Sequence, residues 1–426
     1  MAHEYHSLWE RLGINIPRLE QMRLGGGESF RRVVLSREHR PDAMAYFDDL
    51  MRGLHTTRIR QLQDFRDEGG KVVGIFCVFV PEDLILAAGA VPVGLCSGSP
   101  LTIDSAATVL PLHTCALVKS AYGFEMEKVC PYSLVSDLII GETTCDGKKK
   151  MYELFGQLRD IYIMEVPQKQ NEQACALFLS ELRELRCVLE CMTGNVITAE
   201  ALADATALHE SKRQAMERIA RTRRAANPPI NGTDALLVNQ LSFVDDSERF
   251  TARANALASE LEQRAAAGVG AYERPGPRLL ITGCPMALPN WKLPHLVEAA
   301  GAMVVAEESC VGSRYFEPRA EPAGADLDGQ LEAICRRQLA TPCPSFTPNS
   351  RRIEDVLRLA RDFSVNGVIQ YTLQFCHTFA HEAVKLDAAL EQAGVPSLQL
   401  ETDYSVRDTE QLRLRIEAFL ETLSRR

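Results

Sequence analysis

The chain has no CxxC pair, no run of 18 or more apolar residues, no GKS or GKT phosphate loop and no convincing GxGxxG turn. Without CxxC, zinc ribbons and small ferredoxins lose their usual ligand spacing. Without a long apolar run, a membrane-spanning helix is not expected. The first residues, MAHEYHSLWERLGIN, lack the basic flank and apolar heart of a signal peptide, so the expected location is the cytoplasm. Without a phosphate loop or a dinucleotide turn, this chain is not expected to hydrolyse ATP or bind a dinucleotide itself. Excess positive charge is also missing: 47 Lys and Arg against 57 Asp and Glu leave a net charge of −10, which argues against nucleic-acid binding. The one basic run, RIARTRR at 218–224, has Glu nearby and reads as a solvated helix face.

What the chain does have is cysteine, 13 in 426 residues. In a reducing cytosol that count points to metal binding or redox chemistry rather than disulfides. At 46% hydrophobic and 24% charged residues, the rest resembles an ordinary globular protein long enough for two or three domains.

Two stretches organise the reading, LVSDLIIGETTCDGKKKMYELF at 134–155 and FSVNGVIQYTLQFCHTFAHEAV at 363–384. Each delivers a cysteine, Cys145 or Cys376, where a strand pattern gives way to a helix pattern. Residues 1–70 read as polar helices suited to packing or self-association. From 71 to 167 strands and helices alternate: KVVGIFCVFV, the PEDLILAAGA helix, VPVGLC, the strand before Cys145, a helix from Lys148, and IYIMEVPQ. Residues 168–270 read as a helical connector, with Gly194 as a helix stop and Thr198 as an N-cap. From 271 to 426 the alternation returns in the same order, and LAAGAVPV at 86–93 matches EAAGAMVV at 298–305. The expected fold is α/β: two pseudo-repeated, Rossmann-like (flavodoxin-like) domains with parallel sheets, plus N-terminal and connecting helices. Two such sheets facing each other enclose a cleft.

The repeat sorts the thiols. Cys96, Cys115 and Cys145 take the stations that Cys310, Cys343 and Cys376 take in the second half, and Cys77 corresponds to Cys284. Cys130, Cys175, Cys187, Cys191 and Cys335 have no counterpart and read as core or surface residues. Cys187 and Cys191 share a helix face and could share a metal, but core packing is the simpler reading. Six thiols on one rim suit iron and sulfide better than zinc, as one or two four-iron cubanes.

On the words VPEDLILAAGAVPV, TTCDGKKKMYE, MTGNVITAEAL, AAGAMVVAEESCVGSRYF and QFCHTFAHEAVKLDAALEQAGVPSLQLETD, spread over 71–407, the chain resembles the 2-hydroxyacyl-CoA dehydratase and benzoyl-CoA reductase superfamily. Within it the chain looks most like the double-cubane cluster proteins. The resemblance implies an oxygen-sensitive iron–sulfur enzyme fed single electrons by a separate ATP-hydrolysing activator, a homodimer with its own 4Fe-4S cluster. It implies a cubane on Cys115, Cys145 and Cys376. Pseudo-symmetry adds Cys96, Cys310 and Cys343 for a second, sulfide-bridged one. A homodimer is expected, acting on a small-molecule substrate with neither nucleic acid nor membrane as a partner.

The expected activity is low-potential reduction of a small unsaturated substrate. One alternative is a 2-hydroxyacyl-CoA dehydratase subunit with a single 4Fe-4S cluster, working through a ketyl radical. It needs basic contacts for CoA phosphates, and the sequence shows no obvious Arg or Lys cluster. The other is a non-catalytic electron-transfer protein. Proton-transfer candidates beside the cysteines are His113, His377 and Glu82, while Lys148 or Arg314 would offset cluster charge.

Overall fold

A computed structural model of the chain describes residues 2–95, 98–320, 324 and 326–425. The short Val- and Ile-rich runs form eight strands: β1 Lys71–Ile75, β2 Ala90–Gly94, β3 Leu138–Glu142, β4 Tyr162–Met164, β5 Arg278–Gly283, β6 Met303–Glu308, β7 Gly367–Leu373 and β8 Ser397–Thr402. They make two four-stranded parallel sheets in the same order, β2-β1-β3-β4 and β6-β5-β7-β8. The α/β repeat expected from the sequence is therefore present in the topology itself.

In each sheet the chain goes first to one side of its opening strand and then to the other. The strand order reverses between β1 and β3, and again between β5 and β7. Side chains beyond the carboxyl ends of those strands face a crevice that no crossover covers. Cys77 and Cys145 follow β1 and β3, and Cys284 and Cys376 follow β5 and β7.

The apolar run at 71–80 is a strand only as far as Ile75. The rest is a buried turn: Phe76 and Val78 enter one core and Phe79 and Val80 another, so the run is apolar for two different reasons. The larger core includes residues from Leu8 to Leu420, so the two sheets are not independent lobes.

Four helices lie between the sheets in the chain: Glu172–Thr193, Ala199–Thr222, Gly232–Leu241 and Ser247–Ala266. Gly194 closes the first with φ of +76°, and the Thr198 hydroxyl accepts from Ala201 N at 3.1 Å to open the second. The third is buried along its whole length. Its cap is Asn231, whose side chain accepts from Asp234 N at 2.8 Å; the Asn231-Gly-Thr233 sequon is therefore inside the fold. In the RIARTRR run, Arg218 pairs with Glu262, and buried Arg223 pairs with Glu307 at 2.6 Å. It is a tie between elements rather than a free basic face. Cys187 and Cys191 are exposed, not core; Cys175 and Cys335 are buried with sulfurs 3.2 Å apart. Among the described residues no helix is long and apolar enough to cross a membrane.

The halves are joined by buried charge. Arg337, in the Leu327–Leu339 helix, grips Asp83 at 2.5 and 2.9 Å, and Lys212 holds Glu82 at 2.8 Å. Tyr315 also donates to Glu82 at 2.8 Å, and His209 Nδ1 lies 3.0 Å from Asp83. Burial opposes ionisation of Glu82, but Lys212 and His209 prevail and hold its pKa at about 2. An unfolded glutamate titrates near ~4.3, so this contribution to stability is complete above that pH and is lost as the pH falls toward 2. Glu82→Gln strands the buried Lys212 charge and is expected to cost about 3 kcal/mol at neutral pH. It should also flatten the acid limb of stability against pH, as read by urea unfolding at pH 7, 4 and 3.

Candidate metal centre in the cleft between the sheets

A cavity of about 670 Å³ opens beyond the carboxyl ends of both sheets. Cys115, Cys145, Cys310, Cys343 and Cys376, five of the six thiols singled out in the sequence, line it. The sixth, Cys96, lies outside the described residues. Cys145 and Cys376, far apart in the chain, are close enough for the charge of one to shift the other.

Three of these thiols have the same local origin. Cys115, Cys145 and Cys376 are the N-caps of the helices Ala116–Met126, Asp146–Phe155 and His377–Gln392. A helix start leaves N–H groups without partners, and its dipole favours negative charge. The backbone N–H groups of Val118, Lys148 and Phe379, three residues beyond each cysteine, draw its pKa down without closing a full capping bond. A strand that feeds a helix at the sheet's open edge thus delivers a thiol suited to ionisation.

Burial works the other way. It pushes Cys115 up to about 12, with the charge of Cys376 adding to the rise. It also raises Cys145. Cys376 differs: among the described cysteines its pKa alone moves below the ordinary value. The main cause is the buried Cys284 thiol, which donates to its sulfur, helped by the Phe379 N–H and by Arg314. Leu373 N in turn donates to Cys284 Sγ at 3.3 Å.

A second set surrounds Arg314. Its Nη1 lies 3.7 Å from Cys310 Sγ, and its Nε pairs with buried Glu308 at 2.6 Å. Burial and the charge of Cys310 push Cys343 up to about 11, against the pull of Arg314 and Ser345. Cys77 is raised by burial first, with Cys310 and Cys343 among the lesser causes. Cys115, Cys145, Cys284 and Cys376 thus influence one another, and Cys77, Cys310 and Cys343 do likewise. Arg314 acts on both sets.

Among the described residues the wall carries sulfur donors and no Asp or Glu, a donor set that suits soft metal ions and iron–sulfur clusters over hard cations. Among the described residues no three His, Cys, Asp or Glu stand close enough to hold one ion. A cubane would instead distribute its thiolates over separate irons, so it does not need three donors on one ion.

The proton-transfer candidates fall elsewhere. Glu82 does not line the cavity; its carboxylate is engaged by Lys212 and Tyr315, so the proton role expected of it gives way to a structural one. His113 and His377 are exposed and also off the wall, and the ring of His113 lies 4.9 Å from that of Phe375. Lys148 is on the wall, paired with fully buried Glu142, which also accepts from Thr144 at 2.8 Å and Tyr152 at 3.1 Å.

Several wall residues escaped the sequence reading. Cys77 and Cys284 were matched by the repeat, and the rule for open parallel sheets points to them, because β1 and β5 border the two crevices. Cys130 carried no signal: it caps the Pro131–Val135 turn, accepting from Ser133 N at 3.5 Å, yet faces the cavity. The N-terminal helices were expected only to pack, but Arg23, Phe30, Arg31, Arg52 and His55 complete the wall. The basic cluster missing from the linear sequence is thus assembled by folding.

Residues 77–423 match the profile of the family described as 2-hydroxyglutaryl-CoA dehydratase, D-component. The chain belongs to that family. A putative dehydratase subunit, YjiM, of Escherichia coli K12 is 35% identical over 90% of this chain and 99% of its own length. The (R)-phenyllactyl-CoA dehydratase beta subunit of Clostridium sporogenes is 24% identical over 89% of this chain and 98% of its own length. A benzoyl-CoA reductase subunit of Thauera aromatica is 22% identical over 83% and 91% respectively. The family therefore contains dehydratase and reductase subunits, and this chain is similar to both kinds across most of its length.

At the cavity wall, Lys148→Met leaves Glu142 buried and uncompensated. We expect a loss of about 3 kcal/mol in denaturant unfolding, with Lys148→Met/Glu142→Gln recovering a large part of it.

Proposed function

We propose that the chain is an iron–sulfur reductase holding two sulfide-bridged 4Fe-4S cubanes and reducing a small unsaturated substrate. The observation that carries this reading is the presence of two thiol sets on one cavity within a single chain. Cys115, Cys145 and Cys376 would hold one cubane, and Cys310 and Cys343, with Cys96, the other. When bound, the clusters would supply low-potential electrons one at a time.

The protein's own share is electrostatic. Arg314 and Lys148 offset negative charge at the thiols, and helix N-termini add partial positive charge at Cys115, Cys145 and Cys376. Apolar walls such as Phe76, Phe243 and Phe379 limit water around them. His113 and His377, which flank Cys115 and Cys376 in the chain but stand exposed off the cavity wall, would relay protons from solvent rather than meet the substrate. On this reading, as the family resemblance implies, ATP hydrolysis belongs to a separate activator, a homodimer with its own 4Fe-4S cluster, and this chain carries no phosphate loop of its own. The reductase itself is read as a cytoplasmic homodimer.

A second reading, dehydration of a 2-hydroxyacyl-CoA on a single cubane, is favoured by the names of the relatives and by the arginines on the cavity wall. A third, electron transfer without catalysis, uses the same thiols.

Anaerobic purification with iron and sulfide analysis and electron paramagnetic resonance separates them. About eight irons per chain is the expected result, with a fall to about four in Cys376→Ser. About four irons in the wild type would favour the single cubane, and none would overturn the assignment. ATP-dependent reduction of acetylene with activator supports the reductase, turnover of a hydroxyacyl-CoA supports the dehydratase, and reversible redox without either leaves the carrier.

A further inference from the structure

The helix Ile16–Phe30 precedes the segment that matches the family profile, which begins at residue 77. One of its faces nevertheless lines the cavity: Met22, Arg23, Gly26, Gly27 and Phe30, continued by Arg31 at the start of the π-helical turn Arg31–Leu35. The spacing is helical, so these positions form one stripe, with the two arginines about 12 Å apart along the axis.

Two features of the stripe bear on what this part of the cavity can hold. The first is the glycines. Gly25, Gly26 and Gly27 sit inside a helix, where glycine is disfavoured. None has a positive φ, and a Cβ added at any of them meets nothing within 4 Å. Neither backbone conformation nor crowding requires glycine here; open space over the helix backbone is what these residues provide.

The second feature is unpaired positive charge. Among the described residues five cationic side chains line the cavity and no acid does. Lys148 and Arg314 face the thiols and are paired with Glu142 and Glu308, and Arg52 pairs with Asp49 at 2.6 Å. Arg23 and Arg31 have no carboxylate within salt-bridge distance among the described residues. Arg31 is exposed at the cavity's edge and reaches the carbonyl of Gly27 at 3.4 Å. Glu20, the acid nearest in effect to Arg23, is bonded to His6 at 3.0 Å. The Arg23 guanidinium is half-buried and held over Trp9, 5.0 Å from the ring centroid. Trp9 in turn donates to the His55 carbonyl at 2.9 Å, which fixes His55 on the same wall. Burial and the charge of Arg23 keep the His55 imidazole neutral, its pKa near 3.

We propose that Arg23 and Arg31, with His55 beside them, form a subsite for the anionic group of the substrate, which lies in the glycine window between the two arginines. The shared chemistry is a carboxylate or phosphate at one end of a molecule whose other end reaches the thiol wall. Guanidinium groups meet such anions with paired, charge-assisted hydrogen bonds. The proposal rests on the reductase reading only in taking this cavity as the substrate site; iron content and acetylene turnover decide that reading, and binding decides this one.

The test is calorimetric titration of the anaerobically purified full-length protein with benzoate and its neutral isostere benzamide, and separately with adenosine 3′,5′-bisphosphate. Wild type is expected to favour benzoate over benzamide, or to bind the bisphosphate, by about tenfold or more. The first result identifies a carboxylate substrate, the second the phosphates of a coenzyme thioester. Arg23→Gln and Arg31→Gln should each abolish the preference. Gly26→Leu closes the window while improving helix propensity, so it should raise the melting temperature and weaken the anion together. Equal binding of benzoate and benzamide without bisphosphate binding, or a preference that survives Arg23→Gln, overturns the proposal. So does a Gly26→Leu protein that is stabilised yet binds as before.

Discussion

Thiols brought together in a buried cleft oppose one another's ionisation, and the architecture around this cavity answers that constraint. Burial alone drives most of its cysteines upward in pKa, and each ionised neighbour drives them further. The opposing influences are few and local. They are the helix N-termini at Cys115, Cys145 and Cys376, the guanidinium of Arg314 between the two sets, and a thiol donated by Cys284. Cys376 receives the most of these and is the one drawn downward.

Such a cleft exists only while the two sheets are held at a fixed separation. The ion pairs Arg337–Asp83 and Lys212–Glu82 join the first crossover helix to elements from the connector and the second half, out of contact with water. Buried pairs add little net stability against an apolar alternative, but losing one partner is costly, which makes them strict about geometry. Arg314 and Arg352 repeat the theme around Glu308, so the wall behind the Cys310 set is rigidly determined.

Much of this was legible in the chain. The words LAAGAVPV and EAAGAMVV announced the repeat, and Gly194 and Thr198 end and begin helices as their residue types dictate. The Cys145 and Cys376 stations could be placed because a strand followed at once by a helix puts the junction residue at the sheet's open edge. Other features were illegible for physical reasons. Phe76–Val80 is as apolar as a strand because a turn buried between two cores needs the same residues. Glu82 stands near the cysteines in sequence but turns the other way, toward Lys212. Cys187 and Cys191 follow helical spacing onto a face that nothing covers.

The sequence by itself determined the local order: which segments become strands and helices, that the unit occurs twice, and which cysteines stand at the ends of strands. These follow from short-range periodicity, capping and turn chemistry, which act between near neighbours in the chain. Only the tertiary structure decided that Cys130 faces the cavity, that Arg314 acts on both thiol sets, and that an N-terminal helix closes the cavity with arginines. Those relations depend on how two sheets and their helices bury one common core, a long-range packing outcome that no local pattern encodes.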